Sequence, residues 1–317
     1  MTTFPRFDMA IIPPFIKFIK DWSMPLAMVF GIVFHRLMNE LSVLIPFMIF
    51  FMLLLTFARL TPSKLKLSRL HLWLILIQLL GSIGAYLLLK SQNELLAESA
   101  LICFLAPTAT SAAVVTGLLG GSVSSLTTYT LVSNTTVAII APLYFSMIGH
   151  NSDLSFVNSF IEIFSKVAPL LILPLITAWT LQKAAPKANN VLKKLTAWPF
   201  YIWIFALAIV TGRTVCFLVD QEKPNVLLEL LIAIISLIIC ALQFLLGKRI
   251  GLSFGQQISG GQALGQKNTI LAIWMAQTFL SPVASLGPAA YVLWQNMFNS
   301  WQLYQRRKNP IQTLEED

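Results

Sequence analysis

Long apolar runs alternate with short polar connections along the whole chain. A membrane-crossing helix needs roughly 20 mainly apolar residues. Ten runs approach that length, near 20–36, 42–58, 70–89, 94–120, 122–148, 158–182, 196–219, 225–247, 255–280 and 284–304. The third and the sixth to eighth are strongly apolar, whereas the fourth, fifth and ninth are rich in small and polar residues. The longest polar connection, around 183–195, is too short for a soluble domain. The pattern predicts an all-α membrane protein with ten transmembrane helices over residues 20–308. A basic, aromatic interfacial segment (1–19) precedes them, and a short solvated tail (309–317) follows.

Composition points the same way. Of the 317 residues, 56% are hydrophobic and 11% charged, where a soluble domain has roughly a quarter charged. The lipid bilayer is therefore the expected solvent. A net charge of +9 would suggest nucleic acid in a soluble protein. Here the basic residues sit in short loops, and nucleic acid is not an expected partner. On the N-terminal side of the ten runs lie 16 lysines and arginines; the other side has Arg36, Lys90, Lys166 and Lys223. Positive charge marks the cytoplasmic side, so both termini are expected in the cytoplasm, with a bacterial inner membrane as the setting. Cys103, Cys216 and Cys240 fall inside apolar runs without metal-ligand spacing and read as small buried hydrophobes.

Two runs are not ordinary spans. The stretch CFLAPTATSAAVVTGLLGGS (103–122) contains Pro107, which removes a backbone donor and stops or kinks a helix. The stretch GLSFGQQISGGQALGQKNTILAIWMA (251–276) has five glycines, four glutamines, a lysine and an asparagine. Each contains Gly-x-x-x-Gly, Gly117 with Gly121 and Gly261 with Gly265, which by itself suits close helix packing. That packing does not explain so many amides at membrane depth. Irregular backbone is tolerated there only where it is buried in protein or lines a cavity. The two stretches are the fourth and ninth of ten runs, equivalent places in two five-helix halves. Five is odd, so the halves, about 20–149 and 156–308, would be inverted. Paired interrupted helices at matching places are a pointer to a transporter's binding site.

Two further features add chemistry. The fifth run, SVSSLTTYTLVSNTTVAII, includes Thr130, Asn134 and seven further serines and threonines from Ser124 to Thr136. Any one hydroxyl can bond its own helix, but the density suggests a polar interior. Lys267 lies near mid-membrane with no acid nearby in sequence. A central lysine costs roughly 2.5–3.5 kcal/mol on translocon scales, which makes it a functional candidate. As a fixed cation beside helix N-termini it would help bind a carboxylate. As a titrating lysine it would carry a coupling proton.

With these features the chain resembles the bile acid:sodium symporter superfamily, over nearly its whole length. PTATSAAVVTGLLGGS is similar to the family's Pro-Gly-Gly-Thr-Ala-Ser-Asn-Val-Val-Thr-Tyr-Leu run, and ALGQKNTILA to its Glu-Val-Gly-Met-Gln-Asn-Ser-Gly-Leu-Ala run. The resemblance implies that spans 3–5 and 8–10 form a core moving against a panel of spans 1, 2, 6 and 7. Interrupted helices 4 and 9 would cross in that core, where substrate binds, with two sodium ions behind them. The family's substrate-side threonine falls on Thr110 and its asparagine on Asn268. Ser111, Lys267 and Thr269 complete the expected substrate site. The family's sodium ligands fall on Ala112, Ala113, Ala263, Lys267 and Leu126, so they are lost, while Gln78 and Thr130 survive. Asn134, Gln262 and Gln266 are further polar-core candidates.

The expectation is a sodium-independent carrier of a small organic anion, with Lys267 standing in for the coupling cation and no cofactor. A sodium-coupled symporter with a rebuilt ion site, and a non-transporting sensor or scaffold, are the alternatives. A serine–lysine hydrolase has little support, because no serine sits at an obvious nucleophile turn and His35, His71 and His150 lie at span ends. No enzyme is expected.

Overall fold

The computed structural model describes residues 23–60, 65–148, 155–220, 225–308 and 315. The expected interfacial segment 1–19 lies outside them. Among the described residues every regular element is a helix. In chain order these are α1 (Ser23–Val33), α2 (His35–Glu40), α3 (Ile45–Phe57), α4 (Arg69–Lys90), α5 (Glu94–Leu105), α6 (Ala112–Leu119) and α7 (Val123–Ile148). They continue as α8 (Phe156–Ala184), α9 (Pro186–Lys194), α10 (Trp198–Val219), α11 (Val226–Leu252), α12 (Gln257–Gly265), α13 (Thr269–Phe279) and α14 (Leu286–Lys308).

Six stretches are long and apolar enough to cross a membrane: His35–Phe57, α4, α7, α8, α10 and α11. By length and composition this is a multi-pass membrane protein. Large apolar side chains such as Leu72, Leu80, Leu88, Ile234 and Leu245 are exposed on the helices, as lipid-facing side chains would be. The first two apolar runs meet earlier than expected. The break falls at Phe34, and the segment expected to link them is helical through His35–Glu40 and a 3₁₀ turn, Leu41–Leu44. Arg36 meets Asp220 just past one end of α10, and Arg59 donates to the Leu195 carbonyl just before its other end. This stretch and α10 therefore lie antiparallel.

The helices sort into two groups by packing. The first is α1–α3, α8 and α10; the second is α4–α7 with α11–α14. They join where α7 lies along α8 and where α13 touches α10 and α3. In the second group α11 and α12 come closest, through glycines: a Cβ on Gly260 would strike the Gly247 carbonyl, and one on Gly247 the Gly260 carbonyl.

The two anomalous stretches are broken helices. Ala106, before Pro107, has ψ 134°, extended as a residue preceding proline prefers. That ends α5, and the chain re-enters helix at Ala112. Between α12 and α13 there is no proline. Gln266 is extended (φ −99°, ψ 101°), and the Asn268 side chain accepts from the Leu271 N–H at 3.3 Å, capping α13.

Candidate functional site: the crossing of two broken helices

The two breaks meet and pair with each other. Ala109 N–H donates to the Gln266 carbonyl at 2.9 Å, and Asn268 N–H donates to the Pro107 carbonyl at 2.8 Å. Thr108 and Lys267 thus face each other in one isolated antiparallel bridge. Four helix ends converge here: the C-termini of α5 and α12 and the N-termini of α6 and α13.

Side-chain donors close the two C-terminal ends. At α5, Gln243 Nε2 donates to the Cys103 carbonyl at 3.1 Å, and Lys267 Nζ to the Phe104 carbonyl at 2.9 Å. Gln78 Nε2 donates to the Leu105 and Ala106 carbonyls at 2.7 and 3.1 Å. At α12, the Thr108 hydroxyl donates to the Ala263 carbonyl at 2.7 Å and the Tyr291 hydroxyl to the Gly265 carbonyl at 2.9 Å. A helix C-terminus carries negative partial charge and favours a cation within its last turn. Lys267, 1% exposed, places its amino group there. Its backbone N–H is held by Gln295 Oε1 at 2.9 Å.

The N-terminal ends differ from these and from each other. Ser111 precedes α6 without a side-chain cap; it is exposed and Thr110 is half-buried. At α13, Asn268 and Thr269 are buried, with Asn268 spent as the cap. The expected substrate residues are therefore brought together around the crossing, but not on one open face. Thr110 and Ser111 are accessible, whereas Lys267, Asn268 and Thr269 lie behind them.

The polar-core candidates divide likewise. Gln78 Oε1 accepts from the Tyr129 hydroxyl at 2.8 Å and the Ser133 hydroxyl at 3.0 Å, so both its lone pairs are engaged. The Thr130 hydroxyl donates back to the Leu126 carbonyl, and Asn134 Nδ2 to the Thr130 carbonyl. Gln262 bonds Asn299, and Gln266 bonds Ser111, each at 3.0 Å. Three of these candidates keep a buried side-chain oxygen without a hydrogen-bond partner among the described residues, Asn134 Oδ1, Gln262 Oε1 and Gln266 Oε1, as does Gln243 Oε1.

The positions on which the resemblance places the sodium ligands offer a cation little. Ala112, Ala113 and Ala263 offer no side-chain oxygen, Gln78 Oε1 is saturated, Thr130 is turned onto its own helix, and the Lys267 amino group sits at the α5 terminus. Among the described residues no group of three His, Cys, Asp or Glu side chains could hold a metal.

Sequence reasoning missed Tyr129, Gln243 and Tyr291. Gln243 had a readable signal, an isolated amide in a strongly apolar run. The tyrosines pass as apolar residues until a hydroxyl partner is visible. No protein-family model matches the chain, and no curated protein matches it.

Proposed function

We propose that the protein is a secondary transporter of a small organic anion, a carboxylate, working by alternating access without sodium. In this reading it is a divergent relative of the bile acid:sodium symporters. Its ten spans form two inverted repeats, both termini are cytoplasmic, and the α4–α7 and α11–α14 group moves against the rest.

The observation that carries the reading is the unequal treatment of the four helix ends. The C-terminal ends, where a coupling cation is held in transporters of broken-helix design, are filled by the chain's own donors, among them the Lys267 ammonium. The start of α6, where an anion is favoured, is flanked by the accessible Thr110 and Ser111. Lys267 then acts from behind, as a permanent substitute for a bound cation. The carboxylate meets the Thr110 and Ser111 hydroxyls at the start of α6. A Gln–Tyr pair occurs in each half, Tyr129 donating to Gln78 at 2.8 Å and Gln243 donating to Tyr291 at 3.1 Å, and both amides also reach the α5 terminus.

The test is the melting temperature of detergent-purified protein with a panel of carboxylates, in sodium and in potassium, followed by flux into liposomes. A ligand at 100 times its Kd stabilises by about 2.7 kcal/mol. Equal stabilisation in both salts, with flux, is expected. Stabilisation only in sodium would replace this reading with a sodium symporter whose ion site was rebuilt. Binding without flux would replace it with a sensor.

A further inference from the structure

Glu315 lies beyond α14, in the tail read from sequence as solvated. It is not solvated. Its carboxylate accepts from the backbone N–H groups of Ser122 and Ser259, each at 3.2 Å, from that of Ile258, and from the Ser259 hydroxyl at 2.5 Å. Its own N–H donates to the Gly120 carbonyl at 3.1 Å.

These donors belong to two helix starts. Ile258 and Ser259 are the second and third residues of α12, a nine-residue helix, and Ser122 immediately precedes α7. The first N–H groups of a helix have no partner within it, and the dipole there favours negative charge. The loop between α6 and α7 is shaped for close approach. Gly120 sits at φ 86°, and a Cβ on Gly121 would come within 2.9 Å of the Ile258 side chain. The Ser259 hydroxyl, 2% exposed as a residue, also receives the Ser122 N–H at 2.8 Å. The cradle therefore joins the far end of one broken helix, past α6, to the beginning of the other, α12.

We propose that this cradle is a carboxylate-binding site, that Glu315 is its tethered ligand, and that docking of the tail fastens the outer ends of the two broken helices together. Tethering raises the local concentration of that carboxylate to about the millimolar range. A neutral amide at 315 would match the donors' geometry but not their charge. When the tail leaves, the cradle accepts a free carboxylate of the same kind.

The experiment is hydrogen–deuterium exchange on the full-length protein, resolved at Ile258 and Ser259. Glu315→Gln is expected to speed exchange at both amides tenfold or more while leaving Ala272, in the middle of α13, unchanged. A peptide of residues 309–317 added to the Glu315→Gln protein is expected to restore protection. Millimolar acetate should do so in part, and sodium chloride of equal ionic strength not at all. Ser259→Ala, which removes one donor and leaves the backbone N–H groups, should give an intermediate rate. Unchanged exchange in Glu315→Gln, or equal protection by chloride and by peptide, overturns the proposal. The readout is amide protection, so its failure is distinct from failure of the transport reading.

Discussion

The two broken helices reach the same crossing by different means. The first break, between α5 and α6, follows from covalent structure: Pro107 cannot donate, and Ala106 before it is pushed out of the helical region. It is partly open, with Thr110 half-buried and Ser111 exposed. The second break, between α12 and α13, has no such residue. It is held by partners: the Asn268 cap, Gln295 on the Lys267 N–H, Tyr291 on the Gly265 carbonyl, and the bridge to the first break. Every residue from Ser259 to Gln277 is buried there. One break is thus a local property that can face a ligand, and the other is a property of the packed whole.

This contrast can be broken most severely at the glycines. Gly260→Val puts a side chain into the Gly247 carbonyl, a backbone atom that cannot swing aside. Overpacking costs typically 1–3 kcal/mol, occasionally more, and here little folded protein is expected on size-exclusion chromatography. Gly117→Ala, near the open break, meets only a Val123 methyl at 3.1 Å and should fold. Equal yields would show that the second break is not the tightly fixed one.

Next in size is Lys267→Met. It leaves the Phe104 carbonyl without the donor it now has, and an unsatisfied buried acceptor costs about 1–3 kcal/mol. A lower melting temperature is expected, together with loss of carboxylate-induced stabilisation. Lys267→Gln, which retains an N–H donor, should recover much of the stability but not the anion response. If Lys267→Met melts as the parent does, the ammonium is not what closes the α5 terminus.

Asn268→Ala removes the α13 cap and should cost about 1 kcal/mol, read as a small fall in melting temperature. The smallest stability effect is expected at Ser111→Ala. Its Oγ accepts one bond, from Gln266 Nε2, at an exposed position. The melting temperature should barely move while carboxylate-induced stabilisation falls. A fall in stability as large as that of Asn268→Ala would place Ser111 among the structural residues instead.

The positions of both breaks were legible because each depends on residue types rare in apolar runs: Pro107 with its threonines, and the glycines and amides around Lys267. The partners were not. The acceptor for Lys267 Nζ is the backbone carbonyl of Phe104, 163 residues away in sequence, and a carbonyl has no sequence signature. The fifth run was read as facing a polar interior, and the structure divides it. The Thr128 and Thr130 hydroxyls bond carbonyls of their own helix, whereas Ser133 and Tyr129 reach Gln78. Spacing alone does not separate those two uses. The contacts of Glu315 were not legible either, because composition does not tell which single carboxylate finds a set of N–H donors.

The bridge between the breaks has a genetic consequence. Because the Ala109–Gln266 and Pro107–Asn268 bonds fix one register against the other, inserting a residue before Pro107 would misalign both strands of the pair at once. Because the pair is antiparallel, a one-residue deletion just before Gln266 would slide the second strand to meet the first. The two loci should therefore show suppression: each lesion is damaging alone, and the double lesion is milder than either.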